Sequence, residues 1–289
     1  MNKFIIRRIR RGFPLLLACT LFSCGNKSSS GDNPPPPPPP PPPVTYEWNF
    51  ESSPVWVDEF NTDGAPDATK WGYDIGGNGW GNNELQYYTD GLNATINSGI
   101  LKITAKKESY SGKDYTSARM ITKSKGDWQY GRFEIKAKLP KGRGTWPAIW
   151  MLPTDWVYGN WPNSGEIDIM EHVGYDQNRV HITVHTKAFN HLLGTQKGAN
   201  KIVNTASEEF HRYRVDWTSY GIRGYIDDEK IFEFMNQGAG ADYWPFDKQF
   251  HLLMNIAVGG SWGGAMGIDD TVFPATMEVD YVRVYKFVR

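Results

Sequence analysis

Cysteine is nearly absent: the 289 residues hold two, Cys19 and Cys24, both within the first 24 positions. From Gly25 onward there is no thiol, which excludes a disulfide framework, a cysteine-ligated metal and a cysteine nucleophile there. A long apolar run is missing too. Phe13 to Phe22 is mostly apolar but too short for a membrane-spanning helix, which needs about 20 residues. Charge of one sign is also lacking, with 31 Lys and Arg against 32 Asp and Glu. No sustained helical periodicity and no internal repeat is found. The glycine-rich stretch Gly259 to Gly264 lacks the Lys-Ser/Thr ending of a phosphate-binding loop, so nucleotide binding is excluded.

What stands at the start is organised for export. Lys3, Arg7, Arg8, Arg10 and Arg11 precede the apolar run with no acid among them, the pattern of a secretory signal over residues 1–23. Leu21-Phe22-Ser23-Cys24 followed by Gly25 resembles a bacterial lipobox, with Cys24 as the lipidated first residue of the mature chain. The alternative is an ordinary cleavage site in which Cys24 is merely small. A lipid on Cys24 would tether the chain to a membrane with no helix in it. The expected location is the bacterial cell envelope, as a secreted lipoprotein, with the outer-membrane surface one place for it. Residues 24–54 read as a spacer. Asn26 to Asn33 is rich in Ser and Gly, and Pro34 to Pro43 is unbroken proline. That run favours polyproline II, a stand-off of roughly 30 Å; a docking motif for a proline-binding partner is the other reading. Without the signal, 26 basic residues face 32 acidic ones, a net charge near −6. Nucleic acid and anionic lipid surfaces are disfavoured as partners by that balance.

Residues 55–289 have one composition and read as one domain, and all twelve tryptophans follow the proline run. Apolar and polar residues alternate in strand fashion. In Arg132 to Leu139, the residues Phe133, Ile135, Ala137 and Leu139 fall on one face. Tyr213, Val215 and Trp217 share another, and Met277 to Phe287 reads as a long closing strand. Short strands between Gly, Pro, Asn and Asp turns predict an all-β, two-sheet sandwich of jelly-roll type. A monomer is expected.

The stretch Ser164 to Gly174 crowds Glu166, Asp168 and Glu171 among apolar residues. Acids are depleted in strands, so the cluster asks for a reason. Glu166 and Asp168 share a face by the period of two, whereas Glu171 has the wrong parity. One β-bulge around Ile169 or Met170 would return Glu171 to that face; a helix would leave Glu166 and Glu171 about 140° apart. Two glutamates flanking a bond are what glycoside hydrolysis needs. Asp168 between them can hydrogen-bond Glu166 and orient it. A solvated acidic strand or a calcium cluster is the competing reading of the spacing.

Gly165-Glu166-Ile167-Asp168-Ile169-Met170-Glu171 resembles the Glu-X-Asp-X-X-Glu signature of glycoside hydrolase family 16 in its bulged, laminarinase-like form. Further matching blocks follow the family order from Val55 to Arg289. They include Asp58 to Phe60, Trp80 to Tyr88, Ser117 to Arg119, Tyr130 to Glu134, Trp146 to Pro153 and Asp280 to Tyr285. The resemblance implies a curved, concanavalin-like jelly-roll with an open substrate groove and a retaining endo-β-glucanase. Its substrate would be β-1,3-glucan (laminarin), mixed-linkage β-1,3-1,4-glucan, or both. It further implies Glu166 as nucleophile, Glu171 as acid/base and no cofactor for catalysis. Asn83 and Arg119 match its sugar-binding positions on the non-reducing side, and Asp280 is a candidate for a structural calcium.

Sugar rings stack on aromatic side chains, and Trp146, Trp150, Trp156 and Trp161 cluster just before the acidic strand. Trp146 and Trp150 share parity and match groove positions of the family; Trp262 on the glycine-rich loop is a rim candidate. His181, Thr183 and His185 alternate with Ile182 and Val184. If that strand pairs beside the acidic one, His185 reaches the leaving-group side of the site; a structural role is the alternative. His172, His181 and His185 fit no zinc-protease spacing. The rivals are a non-catalytic glucan-binding lectin or surface lipoprotein, which needs no acidic trio, and a family 16 enzyme for another polysaccharide.

Overall fold

The computed structural model describes residues 45–288; the signal, Cys24 and the proline run lie outside the described residues. In chain order the strands begin β1 (Asn49–Phe50), β2 (Trp56–Asp58), β3 (Gly72–Tyr73), β4 (Gln86–Tyr88), β5 (Ala94–Asn97), β6 (Ile100–Tyr110) and β7 (Lys113–Ser117). They continue β8 (Arg119–Ile121), β9 (Asp127–Trp128), β10 (Gly131–Lys138), β11 (Thr145–Pro153), β12 (Glu166–His172), β13 (Arg179–His185) and β14 (Lys197–Ile202). The last are β15 (His211–Trp217), β16 (Gly221–Ile226), β17 (Glu229–Met235), β18 (Phe250–Val258), β19 (Ala275–Tyr285) and β20 (Phe287–Val288). Two single-turn 3-10 segments, His191–Leu193 and Asp270–Val272, are the helical pieces among the described residues.

These strands form the expected two-sheet sandwich. One sheet runs β17-β16-β15-β10-β19-β6-β7-β4, with β2 on β19 and β5 on β6; the other runs β14-β13-β12-β11-β18-β8-β3, with β9 on β18. The period-two pattern decides which face each strand buries. Phe133, Ile135, Tyr213, Val215 and Trp217 of the first sheet pack in one core with Ile149, Met151, Ile167, Ile182, Met254 and Ile256 of the second. The residues of opposite parity on the second sheet therefore face outward, and that face carries the site. The interior strand β18 is buried at all nine positions, so it makes a rigid floor.

Among the described residues, strand structure is already present ahead of Val55, in β1. The aromatic residues of the short first strand explain this. Phe50 packs on Phe287 with ring centres 5.8 Å apart, the Arg132 guanidinium lies 4.6 Å over Phe50, and β1 pairs with β20.

Candidate active site

The acidic trio is assembled by an irregularity in β12. On β13, Asp168 pairs with Thr183 and Glu171 with His181; on β11, Asp168 pairs with Trp150 and Glu171 with Ala148. On both sides the register shifts by one residue between Asp168 and Glu171, so Ile169 and Met170 face the single residue Ile182. This is the bulge the parity argument required, and it puts Glu166, Asp168 and Glu171 on one face while Ile167 and Ile169 stay in the core. Gly165 makes the entry to the strand possible. It sits at φ +87, and a Cβ there would lie 2.7 Å from Cγ of Pro245, so no other residue fits without a shift.

Each outer glutamate receives an indole N–H. Trp161 Nε1 donates to Glu166 Oε2 at 2.9 Å, and Trp146 Nε1 donates to Glu171 Oε1 at 3.1 Å. His185 Nε2 lies 3.4 Å from Asp168 Oδ2 and 3.8 Å from Glu166 Oε1. His185 thus lies beside Asp168 and Glu166. Asp168 is 2% exposed. Burial first, then the charge of Asp168, pushes the Glu166 carboxyl up to about 8. Burial and then the charge of Glu166 push Glu171 up to about 7. Asp168 is held well above the usual carboxylate range, by burial and then by Glu171. Such a cluster keeps protons at neutral pH, as acid/base chemistry demands.

Oxygens of Glu166 and Asp168 and a nitrogen of His185 lie within 4.8 Å of one another, close enough to share a cation. A different use is indicated because Trp161 already occupies Glu166 Oε2, and the raised Glu166 and Asp168 carboxyls hold protons that a cation would have to displace. At Asp280 the residues do not fit a calcium ion. Its carboxylate faces Lys136 Nζ at 2.8 Å, and that ammonium would repel one.

The tryptophans flank the trio on the same face. Trp150 on β11 donates Nε1–H to Asn255 Oδ1 at 2.7 Å, and one of its faces meets the Arg119 guanidinium at 4.7 Å. Arg119 is itself buried, paired with Asp74 at 3.0 Å and lying 4.8 Å from the Trp80 ring. Trp262 stands edge-on to Trp146 at 5.5 Å and to His181 at 5.0 Å. The glycines around Trp262 allow that approach: a Cβ on Gly263 would lie 2.7 Å from the Cβ of Trp146. Asn83, exposed, donates to Ser261 Oγ at 3.1 Å on the same glycine-rich loop.

Trp161 enters the sequence reading only as one of four clustered tryptophans, and His191 does not enter it at all. Their rings meet at a tilt with centres 4.8 Å apart, and His191 also meets His185 edge-on at 5.3 Å. The one available signal for Trp161 was its place in the tryptophan cluster before β12.

A β-sandwich whose open face carries buried carboxyls between tryptophans defines a carbohydrate-active enzyme, a glycoside hydrolase. The chain belongs to family 16: the model described as "Glycosyl hydrolases family 16" matches residues 79–283. It is 56% identical over 243 residues to a β-glucanase of Rhodothermus marinus, a match covering 81% of this chain and 85% of that protein. The X-ray structure of the laminarinase from Rhodothermus marinus has a TM-score of 0.81 at 55% identity, covering 83% of this chain and 99% of that one. A glucan endo-1,3-β-glucosidase of Cryptopygus antarcticus is 38% identical over 249 residues, 79% of this chain and 90% of its own.

Proposed function

We propose that the protein is a retaining endo-β-glucanase acting on β-1,3-glucan, with Glu166 as nucleophile, Glu171 as acid/base and Asp168 as the group that orients Glu166. The observation that carries this reading is the bulge at Ile169–Met170, which sets three carboxyls on one face with an indole N–H on each outer glutamate. A structural strand has no use for that arrangement. The names of the relatives support the substrate class.

The proton inventory supports the roles. Glu171, raised to about 7, keeps its proton at mildly acidic pH and gives it to the glycosidic oxygen. A second proton, shared by Asp168 and Glu166, leaves Glu166 ionised when it rests on Asp168. Glu166 then attacks the anomeric carbon and forms an ester. The bond to the departing sugar breaks, its electron pair staying on the oxygen that Glu171 has protonated. Esterification removes the Glu166 charge, which is the second cause of the raised Glu171 value. Glu171 therefore becomes the stronger acid and its carboxylate is free to take a proton from water. That water attacks the anomeric carbon and releases Glu166. Trp146, Trp150, Trp262 and Asn83 would line the glucan groove, with Arg119 backing Trp150 from the side away from the glucan. Beyond the folded domain, the lipobox-like stretch supports a lipid tether at Cys24; a Cys24→Ser variant that stayed with the membrane fraction would overturn it.

The test is product analysis with variants. Wild-type protein should release mixed-length oligosaccharides from laminarin, and Glu166→Gln and Glu171→Gln should each abolish this while still binding glucan. Azide should rescue Glu166→Ala with formation of an α-glycosyl azide. Substantial turnover by Glu166→Gln would remove Glu166 from the nucleophile role. Cleavage confined to mixed-linkage glucan would keep the mechanism and move the substrate. Binding without products from any glucan would instead identify a lectin.

A further inference from the structure

Behind the groove wall lies a buried polar chain that the reaction does not use. Glu84, 6% exposed, makes a backbone bridge to Gly259, the residue after the end of β18. Its Oε2 accepts from Gln86 Nε2 at 2.6 Å and from Tyr88 Oη at 3.1 Å, and its Oε1 accepts from Asn82 Nδ2 at 3.3 Å. Tyr88, fully buried, accepts in turn from Asn255 Nδ2 at 3.0 Å. Asn255 Oδ1 then receives the indole N–H of Trp150 at 2.7 Å. Gln86 Oε1 takes the backbone N–H of Val258 at 2.7 Å, which ties the same chain to β18.

Direction in this chain is fixed consistently from both ends, by the carboxylate that only accepts and by the indole N–H that only donates. A carboxylate only accepts, a tyrosine has one proton, and an amide has one oxygen and one NH2. Once the Tyr88 proton goes to Glu84, the Tyr88 oxygen must accept, so Asn255 must turn its NH2 toward Tyr88. Its oxygen is left facing Trp150. If Asn255 flipped, two donors would oppose each other at Trp150. Arg119 meanwhile covers one face of the indole, so a fixed edge and one occupied face leave the other face for a ligand. Burying a carboxylate is costly, and apolar packing would serve stability as well or better. The orientation it enforces is what the cost secures.

We infer that Glu84 and Tyr88 are positioning residues for the glucan-binding face of Trp150, acting through the Asn255 amide. This rests on the reading of Trp150 as part of a glucan groove. The test is a double-mutant cycle on the full domain, with Tyr88→Phe, Trp150→Phe and the pair, each assayed for kcat and KM on laminarin and for thermal unfolding. Tyr88→Phe removes one hydroxyl and keeps the ring, so the protein should fold. It should raise KM about three- to tenfold, the worth of one neutral hydrogen bond, with kcat little changed. In the Trp150→Phe background it should leave KM where it was, while its cost to the melting temperature should recur in both backgrounds. Glu84→Gln keeps an acceptor for Tyr88 and should keep a wild-type KM; Glu84→Met should behave as Tyr88→Phe. Equal KM rises in both backgrounds would overturn the inference, as would no rise where Trp150→Phe alone gives one. If Trp150→Phe itself left KM unchanged, the groove reading would fail first and take this inference with it.

Discussion

Replacing Glu166 by Gln should make the fold more stable, and the gain should grow with pH. The Glu166 side chain is 16% exposed, and its carboxyl is pushed from the ordinary 4.5 to about 8 by burial and by Asp168. A carboxyl raised on folding contributes its stability fully below its unfolded value, and loses it as pH rises through the folded value. Wild-type protein should therefore lose stability between about pH 4.5 and 8. Each pH unit in that window corresponds to about 1.4 kcal/mol. The whole window would approach 5 kcal/mol, and solvent reaching the open face should reduce this to about 2–4 kcal/mol. Gln cannot ionise, so the variant escapes the loss and also relieves Glu171 of a neighbouring charge. At pH 4.5 the two proteins should differ little. At pH 8.5 the variant should melt about 5–15 °C higher, at the usual 2–4 °C per kcal/mol for a domain of this size. Thermal and urea unfolding at pH 4.5, 6.5 and 8.5 measure this directly. A difference independent of pH, or a variant less stable at pH 8.5, would refute the picture of a carboxyl held against its ionisation.

Trp161→Phe removes the N–H that lowers the Glu166 value. The acid limb of the kcat/KM profile should therefore move up by about one pH unit, and an unmoved limb would take Trp161 out of the site's electrostatics. Gly165→Ala places a methyl against Pro245 and Phe246 at a positive φ; urea unfolding should show a loss of about 2–4 kcal/mol. Removing the residues before Val55 deletes β1 and the Phe50 contacts with Phe287 and Arg132. That should cost about 1–3 kcal/mol, and equal urea midpoints for the shortened and longer domains would make this strand dispensable.

Much of this was legible in the sequence because strand geometry is a local rule. Phe133, Ile135 and Ala137 sit in the core as their spacing demands, and so do Tyr213, Val215 and Trp217. The bulge was legible for a sharper reason. Three acids with one of the wrong parity can share a face only through an extra residue, and the extra residue is there. The long-range partners were not legible. The stretch from Glu84 to Tyr88 reaches Asn255 from more than 160 positions away, and Trp161 meets Glu166 only because the intervening turn folds back, which has no period to betray it. No local period encodes such contacts. The short strand β1 ahead of Val55 was not legible either, because two residues are too few to show a period, and its partner β20 lies at the other end of the domain.

The same pairing logic explains why the bulge lies where it does. Trp146 and Trp150 have equal parity on β11 and face outward four residues apart. Their neighbours on β12 must carry Asp168 opposite Trp150 and Glu171 opposite Ala148. Between these pairs the single residue Ile149 on β11 thus faces two on β12, Ile169 and Met170. Without the extra residue, an acid at 171 would point into the core among Ile167, Ile169 and Ile182, where an unpaired charge is costly. With it, Trp146 reaches Glu171, and the tryptophan that edges the groove is also the one that donates to the proposed acid. Shape and proton affinity at this end of the site are therefore set by one side chain, and a substitution at Trp146 should change both together.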